Sequence, residues 1–314
     1  MVNILWSTSI VILCVEVVVG NLGNGFIALV NYMDWVKKRK MSSIDQILTA
    51  LALSRLGLLW IVLVNVTSSP PSLLEAIKKI GVVMRVVCIT WIVMDHFNVW
   101  LASSLSIFYF LKIARFSNSV FLYLKWRVKK VVVVTLLASL VFLFPRIILM
   151  NTYIDAWIEE SKRNTSHTSS LRIFAQLSRL VVMLTLIFLS VPFFVSLTAL
   201  LLLIFSLWKH HKKMQHNAQG SRDASIMEHI KAVKTVIAFL LLYTILFLSV
   251  ALQLSSFDIL EKFPIMFMFH AAGMVFPSVH SCVLILGNSK LRQASLSVLQ
   301  WVRYRCKDGR PPCL

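Results

Sequence analysis

Seven apolar stretches, separated by polar, turn-rich or basic segments, set the terms for everything else in this chain. They run approximately Ser7 to Asn31, Ile47 to Thr67, Arg85 to Leu111, Val131 to Met150, Leu180 to Trp208, Val233 to Leu254 and Pro264 to Gly287. About 20 apolar residues carry a helix across about 30 Å of hydrocarbon, so each stretch is long enough to span. With 58% hydrophobic and 14% charged residues, the chain holds more apolar surface than a soluble fold of its length can hide. The expected fold is an all-α membrane protein, a seven-transmembrane helix bundle.

A net charge of +19 on a soluble protein would point to nucleic acid. On a membrane protein it is read by side, because Lys and Arg accumulate on cytoplasmic loops. The segments Tyr32 to Gln46, Lys112 to Lys130, Lys209 to Lys234 and Asn288 to Leu314 together hold 22 Lys and Arg, against 7 in the three alternate segments. The first set is therefore expected inside and the N-terminus outside, in a multi-pass plasma-membrane protein with no nucleic-acid partner.

Met1 to Trp6 lacks a basic n-region, and the apolar run after it continues past Ile27, longer than a signal-peptide core. It is expected to stay as the first span. The cysteines at 14, 88, 282, 306 and 313 show no metal spacing, and Cys88 alone falls near the outer face, so neither a metal site nor an outer disulfide is expected. Of two sequons, Asn164-Thr165-Ser166 has room for a glycan in mid-loop, whereas Asn65-Val66-Thr67 crowds a helix end. The chance occurrence of such triplets is the alternative for both.

Beyond the seven-span block 1–287, residues 288–314 are expected to form an amphipathic helix and a short cytoplasmic tail. Leu291, Ala294, Val298 and Val302 make one helical stripe, Lys290, Arg292, Gln293 and Arg303 face away, and Trp301 flanks the stripe. This reads as a short amphipathic cytoplasmic helix on the inner leaflet, with Cys306 either palmitoylated or a plain thiol.

Ionisable groups at membrane depth need a partner, a cavity or a function. Glu16, Arg55, Asp95 and His96 are such groups. Asn24 and Arg55 fall in the inner halves of neighbouring helices, where a hydrogen-bonded brace satisfies the guanidinium; it is either pure structure or part of a two-state switch. Trp91, Asp95, Asn98 and Ala102 share a helical face that descends from the outer end of the third span. An acid beneath an indole can draw a cationic or hydrogen-bonding ligand; an internal hydrogen bond to a neighbouring helix is the alternative. Tyr243, Leu246, Phe247 and Val250 form a similar face, His270 lies in the outer half of the seventh span, and Phe188 precedes Pro192 on the fifth. Pro145, Pro192 and Pro277 fall inside spans, where each removes a backbone hydrogen bond and permits a kink.

Several local strings are specific. EVVVGNLGNGFIALVN (Glu16 to Asn31), ILTALALSR (Ile47 to Arg55), FYFLKIARFS (Phe108 to Ser117), FLYLKWRVKK (Phe121 to Lys130), LLLIFSLWKHHKKMQ (Leu201 to Gln215) and HSCVLILGNSKLRQA (His280 to Ala294) closely resemble the type 2 taste receptors, the bitter receptor family. The third span ends in FYFLKIA without an Asp-Arg-Tyr, His280-Ser281 follows Pro277 in place of an Asn-Pro-x-x-Tyr, and the outer loop lacks the cysteine usual in rhodopsin-like receptors. The resemblance implies detection of varied, mostly apolar bitter compounds and activation of a gustducin-type heterotrimeric G protein. It implies a ligand pocket of Trp91, Asp95, His96, Phe188, Tyr243, Leu246 and His270. It also implies coupling through Tyr109, Lys112, His216, Lys231 and Lys234, with Ser281 and Leu284 in the switch region beside Asn24 and Arg55. Family members commonly carry Asn where this chain has Asp95, which leads to an expected preference for cationic or donor-rich agonists.

Rival readings are a transporter, which tends to show internal repeats and broken half-helices, and an intramembrane enzyme, which needs convergent nucleophile, base or metal ligands. Neither pattern is visible; His210, His211, His216 and His229 lie in a charged loop without ligand spacing. The chain is expected to be no enzyme and to need no cofactor. Another seven-helix chemosensor, such as a pheromone receptor, is the nearer alternative.

Overall fold

The computed structural model describes residues 2–67, 81–162, 168–216, 223–255 and 263–307. Within them run α1 (Val2–Lys38), α2 (Ser43–Thr67), α3 (Gly81–Ile113), α4 (Ser119–Trp126), α5 (Val128–Lys162), α6 (Thr168–His216), α7 (Asp223–Ser255), α8 (Phe263–Gly287) and α9 (Ser289–Lys307). The long helices α1, α2, α3, α5, α6, α7 and α8 form a seven-helix bundle. Neighbours pack in the order α1, α2, α3, then α5, α6, α7, α8 and back to α1, and α3 touches α2, α5 and α6 together, which makes it the central strut. Asn164 lies outside the described residues.

Five of the described helices carry apolar stretches long enough to cross a membrane: Ile10–Lys38, Ser43–Ile61, Gly81–Ile113, Val128–Ala156 and Arg179–Lys209. In α7 the apolar stretch Ile237–Leu252 is shorter, and Ala271–Gly287 of α8 meets Ser289–Arg305 of α9 at 94°. That right angle follows from local capping: Asn288 Oδ1 accepts from the backbone N–H groups of Lys290 and Leu291 at 3.0 and 3.2 Å, starting a new helix where α8 stops. Ser42 starts α2 similarly, accepting from Asp45 N–H at 3.2 Å while its hydroxyl donates to Asp45 Oδ2 at 2.7 Å.

An apolar core runs through the bundle around Leu51, Leu105, Leu203 and Phe276, but burial differs from that of a soluble protein at the rim and at the centre. Leu22 on the rim is 71% exposed, whereas Arg55 at the centre is fully buried, along with Asn24, Asn98, His280 and Ser281. Apolar side chains facing outward are at home in lipid, and buried polar groups hold to one another. Close approach in α1 depends on small residues. A Cβ at Gly20 would meet Leu59 Cδ1 at 2.6 Å and Ser278 Oγ at 3.0 Å, so glycine here lets α2 and α8 close on α1.

At the end of the bundle that carries α4 and α9, called here the basic end, one lysine gathers three elements. Lys290 Nζ donates to Asn31 Oδ1 at 3.0 Å and pairs with Asp34 at 2.8 Å and Asp45 at 3.2 Å. The first turn of α9 is thereby tied to the end of α1 and the start of α2.

Candidate functional site

A cavity of about 170 Å³ opens between α3, α5, α6, α7 and α8 in the half of the bundle away from the basic end. Trp91, Asp95, His96, Val99 and Trp100 of α3 form one wall. Arg146, Leu149 and Met150 of α5 lie opposite, and Thr185, Phe188 and Leu189 of α6, Leu246, Ser249 and Val250 of α7, and Gly273 and Met274 of α8 are among the other lining residues. An apolar cavity of about 150 Å³ accepts a benzene molecule, so this one takes at least a single aromatic ring. Trp100 stacks on Phe142 at 5.7 Å between ring centres, and Phe142 meets Phe188 edge-on at 6.0 Å, which fixes the aromatic wall.

Asp95 is not a lone acid. Arg146 Nη2 donates to Asp95 Oδ2 at 3.0 Å, with the arginine side chain 9% and the aspartate 20% exposed. The pair spans α3 and α5 and compensates both charges within the wall. His96 Nε2 lies 3.0 Å from Ser139 Oγ. Because that hydroxyl gives its one hydrogen to the carbonyl of Leu136 at 2.6 Å, the imidazole donates through Nε2. Thr185 and Ser249 turn their hydroxyl hydrogens to the carbonyls of Val181 and Leu246 on their own helices.

Below the cavity lies an aromatic layer. Tyr243 is fully buried there rather than in the lining, and its hydroxyl donates to the carbonyl of Leu189, itself a lining residue, at 3.4 Å. Its ring meets Phe193 at 5.2 Å, Phe239 at 5.6 Å and Phe276 at 5.4 Å. Phe239 and Phe276 in turn meet the His280 ring at 4.9 and 5.4 Å.

Beneath this layer sits Arg55. Its Nε donates to Asn98 Oδ1 at 2.9 Å and its Nη1 to Ser281 Oγ at 3.3 Å, and its Nη2 lies 2.6 Å from His280 Nδ1. The guanidinium lies 5.5 Å from the centre of the Phe276 ring. Ser281 donates onward to Asn24 Oδ1 at 2.7 Å, and Asn24 Nδ2 donates to the carbonyl of Gly20 at 2.7 Å and to that of Pro277 at 3.4 Å. Asn24 and Arg55 thus belong to one network, joined through Ser281. Asn98, on the Asp95 face by helical spacing, turns to Arg55 because a guanidinium buried in the bundle requires acceptors.

A family model described as taste receptor protein (TAS2R) matches residues 1–303. The chain belongs to the type 2 taste receptor family. Its relatives include taste receptor type 2 member 14 of Gorilla gorilla gorilla and of Homo sapiens, each 52% identical over 302 residues that cover 96% of this chain and 93% of the relative. Taste receptor type 2 member 125 of Rattus norvegicus is 51% identical over 299 residues, covering 95% of this chain and 94% of the relative. The family is one of bitter taste G protein-coupled receptors embedded in membranes, not of enzymes.

In this type 2 taste receptor, the remaining expected residues apart from His270, which lies in the opposite half of α8, are found toward the basic end. Tyr109 and Leu284 line a small cleft beside His280, Phe239 and Leu200, just below the Arg55 network. Lys112 and Lys234 are exposed. His216 closes α6, Lys231 lies in α7 and His270 in α8; their side chains fall outside the described residues. The segment between α3 and α4 is pinned: Arg115 N–H donates to Ser206 Oγ of α6 at 2.8 Å, and Lys125 Nζ donates to the carbonyl of Ala114 at 2.9 Å. Burial, together with Arg115 and Lys112 nearby, holds the Lys125 ammonium below its usual pKa.

Sequence reasoning did not single out Arg146. The signal was present, since an arginine inside the apolar stretch Val131 to Met150 calls for a partner on the same physical ground as Arg55.

Proposed function

We propose that this receptor sits in the plasma membrane with its N-terminus and the cavity toward the outside. It binds bitter small molecules in that cavity and activates a gustducin-type heterotrimeric G protein at the basic end. The supporting observation is the layering along the bundle. The cavity wall at Leu189 accepts the Tyr243 hydroxyl, the aromatic layer leads from Tyr243 to His280, and His280 meets Arg55. A ligand held by Trp91, Asp95, His96, Phe188 and Leu246, with Tyr243 below and His270 on α8, biases this stack toward one of two arrangements. An agonist needs only to bind the signalling arrangement more tightly. Asn24, Arg55, Ser281 and Leu284 form the switch, while Tyr109, Lys112, His216, Lys231 and Lys234 face the G protein. The amphipathic helix α9 lies along the inner leaflet, followed by a short cytoplasmic tail that falls outside the described residues, and Asn164 carries a glycan.

The test is agonist-dependent nucleotide exchange by purified receptor in lipid nanodiscs with a gustducin-type heterotrimer, over a panel of bitter compounds. Stimulated exchange is expected for a subset of the panel. Uptake of labelled solute into proteoliposomes with no exchange for any compound would instead favour a transporter.

A further inference from the structure

Resting on the reading of the cavity as the agonist site, we infer that the Asp95–Arg146 pair selects ligands of no net charge that present a hydrogen-bond donor and acceptor side by side, such as a carboxamide. Among the described lining residues, these two are the oppositely charged ones. They are joined end-on, one nitrogen to one oxygen at 3.0 Å, rather than through the two-pronged fork that guanidinium and carboxylate can form. The second carboxylate oxygen and further guanidinium N–H groups are thus not committed to each other. The neighbouring hydroxyls of Thr185 and Ser249 donate to their own helices, and His96 is turned to Ser139, so these groups compete little for a polar ligand.

Charge decides the class. An ammonium drawn to Asp95 comes up against Arg146, and a carboxylate drawn to Arg146 comes up against Asp95; inside a low-dielectric wall either approach sets like charges together. A carboxamide meets neither penalty, because its carbonyl accepts from Arg146 while its N–H donates to Asp95. The cation preference expected from Asp95 alone is cancelled by the arginine on α5.

The experiment measures binding of three tritiated probes on one bicyclic frame to purified receptor in nanodiscs: naphthalene carboxamide, naphthalene carboxylate and naphthylmethylammonium. In the wild type the carboxamide is expected to bind about tenfold or more tightly than either ion. Arg146→Gln should move the ammonium to first place, and Asp95→Asn the carboxylate. Should the single variants fail to fold with one charge left unpaired, Asp95→Asn combined with Arg146→Gln carries no orphan charge; it should bring the three affinities within about threefold of one another. Equal binding of all three probes to the wild type, binding of none, or a carboxamide preference that survives in the double variant overturns the inference. Thr185→Trp, which fills the cavity, serves the underlying reading: carboxamide binding that it leaves intact places the ligand elsewhere. Binding lost with Thr185→Trp but with an order indifferent to the charge variants overturns the selectivity alone.

Discussion

Arg55 Nη2 stands 2.6 Å from His280 Nδ1, so α2 donates to a ring nitrogen of α8 directly beneath the aromatic layer. A guanidinium has no acceptor, so Nδ1 carries the lone pair and the imidazole hydrogen sits on Nε2. The same guanidinium reaches Asn98 on α3 and, through Ser281, Asn24 on α1. Four of the seven long helices meet at one side chain.

Replacing that side chain removes donors from three buried acceptors at once. Each orphaned acceptor costs about 1–3 kcal/mol, so Arg55→Met is expected to destabilise the receptor by roughly 3 kcal/mol or more, read as a lower thermal unfolding midpoint in detergent. Arg55→Lys should recover little, because a single ammonium cannot reproduce the planar fork.

Ser281 accepts from Arg55 and donates to Asn24, so the two links share an atom. In a double-mutant cycle with Asn24→Ala and Ser281→Ala, the coupling should reach at least about 0.5 kcal/mol. Simple additivity of the two unfolding shifts would show that the relay is absent.

Two glycines of one helix should behave oppositely. Gly20→Ala drives a methyl to 2.6 Å from Leu59 Cδ1 and is expected to cost about 1–3 kcal/mol. Nothing lies within 4 Å of a Cβ at Gly25, so Gly25→Ala should be neutral or stabilising by up to about 1 kcal/mol. Unfolding midpoints of the two variants, measured side by side, check the contrast.

Lys290 holds α9 to α1 and α2 through Asn31, Asp34 and Asp45. Lys290→Met should raise amide exchange across Ser289–Lys307 while leaving the α3 core unchanged. High salt should loosen the wild type in the same direction, since the lysine is partly exposed and its pairs are screened. Exchange that is equally slow in the variant would assign the docking of α9 to Leu291 packing alone.

Patterns that repeat along one helix were legible in the sequence. The seven apolar stretches fall on the long helices, which run beyond them, as when Ser7 to Asn31 becomes part of Val2–Lys38. The stripe of Leu291, Ala294, Val298 and Val302 falls on α9 in the same way, whereas the cap at Asn288 that turns the chain there was not singled out. Relations between helices were not legible. Asn24 and Arg55 could be placed at a common depth and the family resemblance set Ser281 beside them, but Asn98 and His280, which complete the network, come from α3 and α8 and show no spacing that predicts them. Helical periodicity groups Tyr243 with Leu246 and Val250, yet the structure lines the cavity with the latter two and buries Tyr243 a turn below. A face spans several residues in breadth, and only the neighbours decide which part of it meets the void. Arg146 marks a different gap, because its depth was readable while its partner on α3 was not.

The central claim is that agonist occupies the cavity beside Trp91 and Phe188, above Tyr243, and the most direct measurement is photoaffinity labelling by a bitter agonist that carries a diazirine, followed by peptide mapping. Labelling concentrated in α3 between Trp91 and Trp100 and in α6 between Thr185 and Leu189, and abolished by excess unlabelled agonist, is the expected result. Competable labelling confined to the cleft of Tyr109 and Leu284 or to the basic end, with none in those two segments, would contradict it.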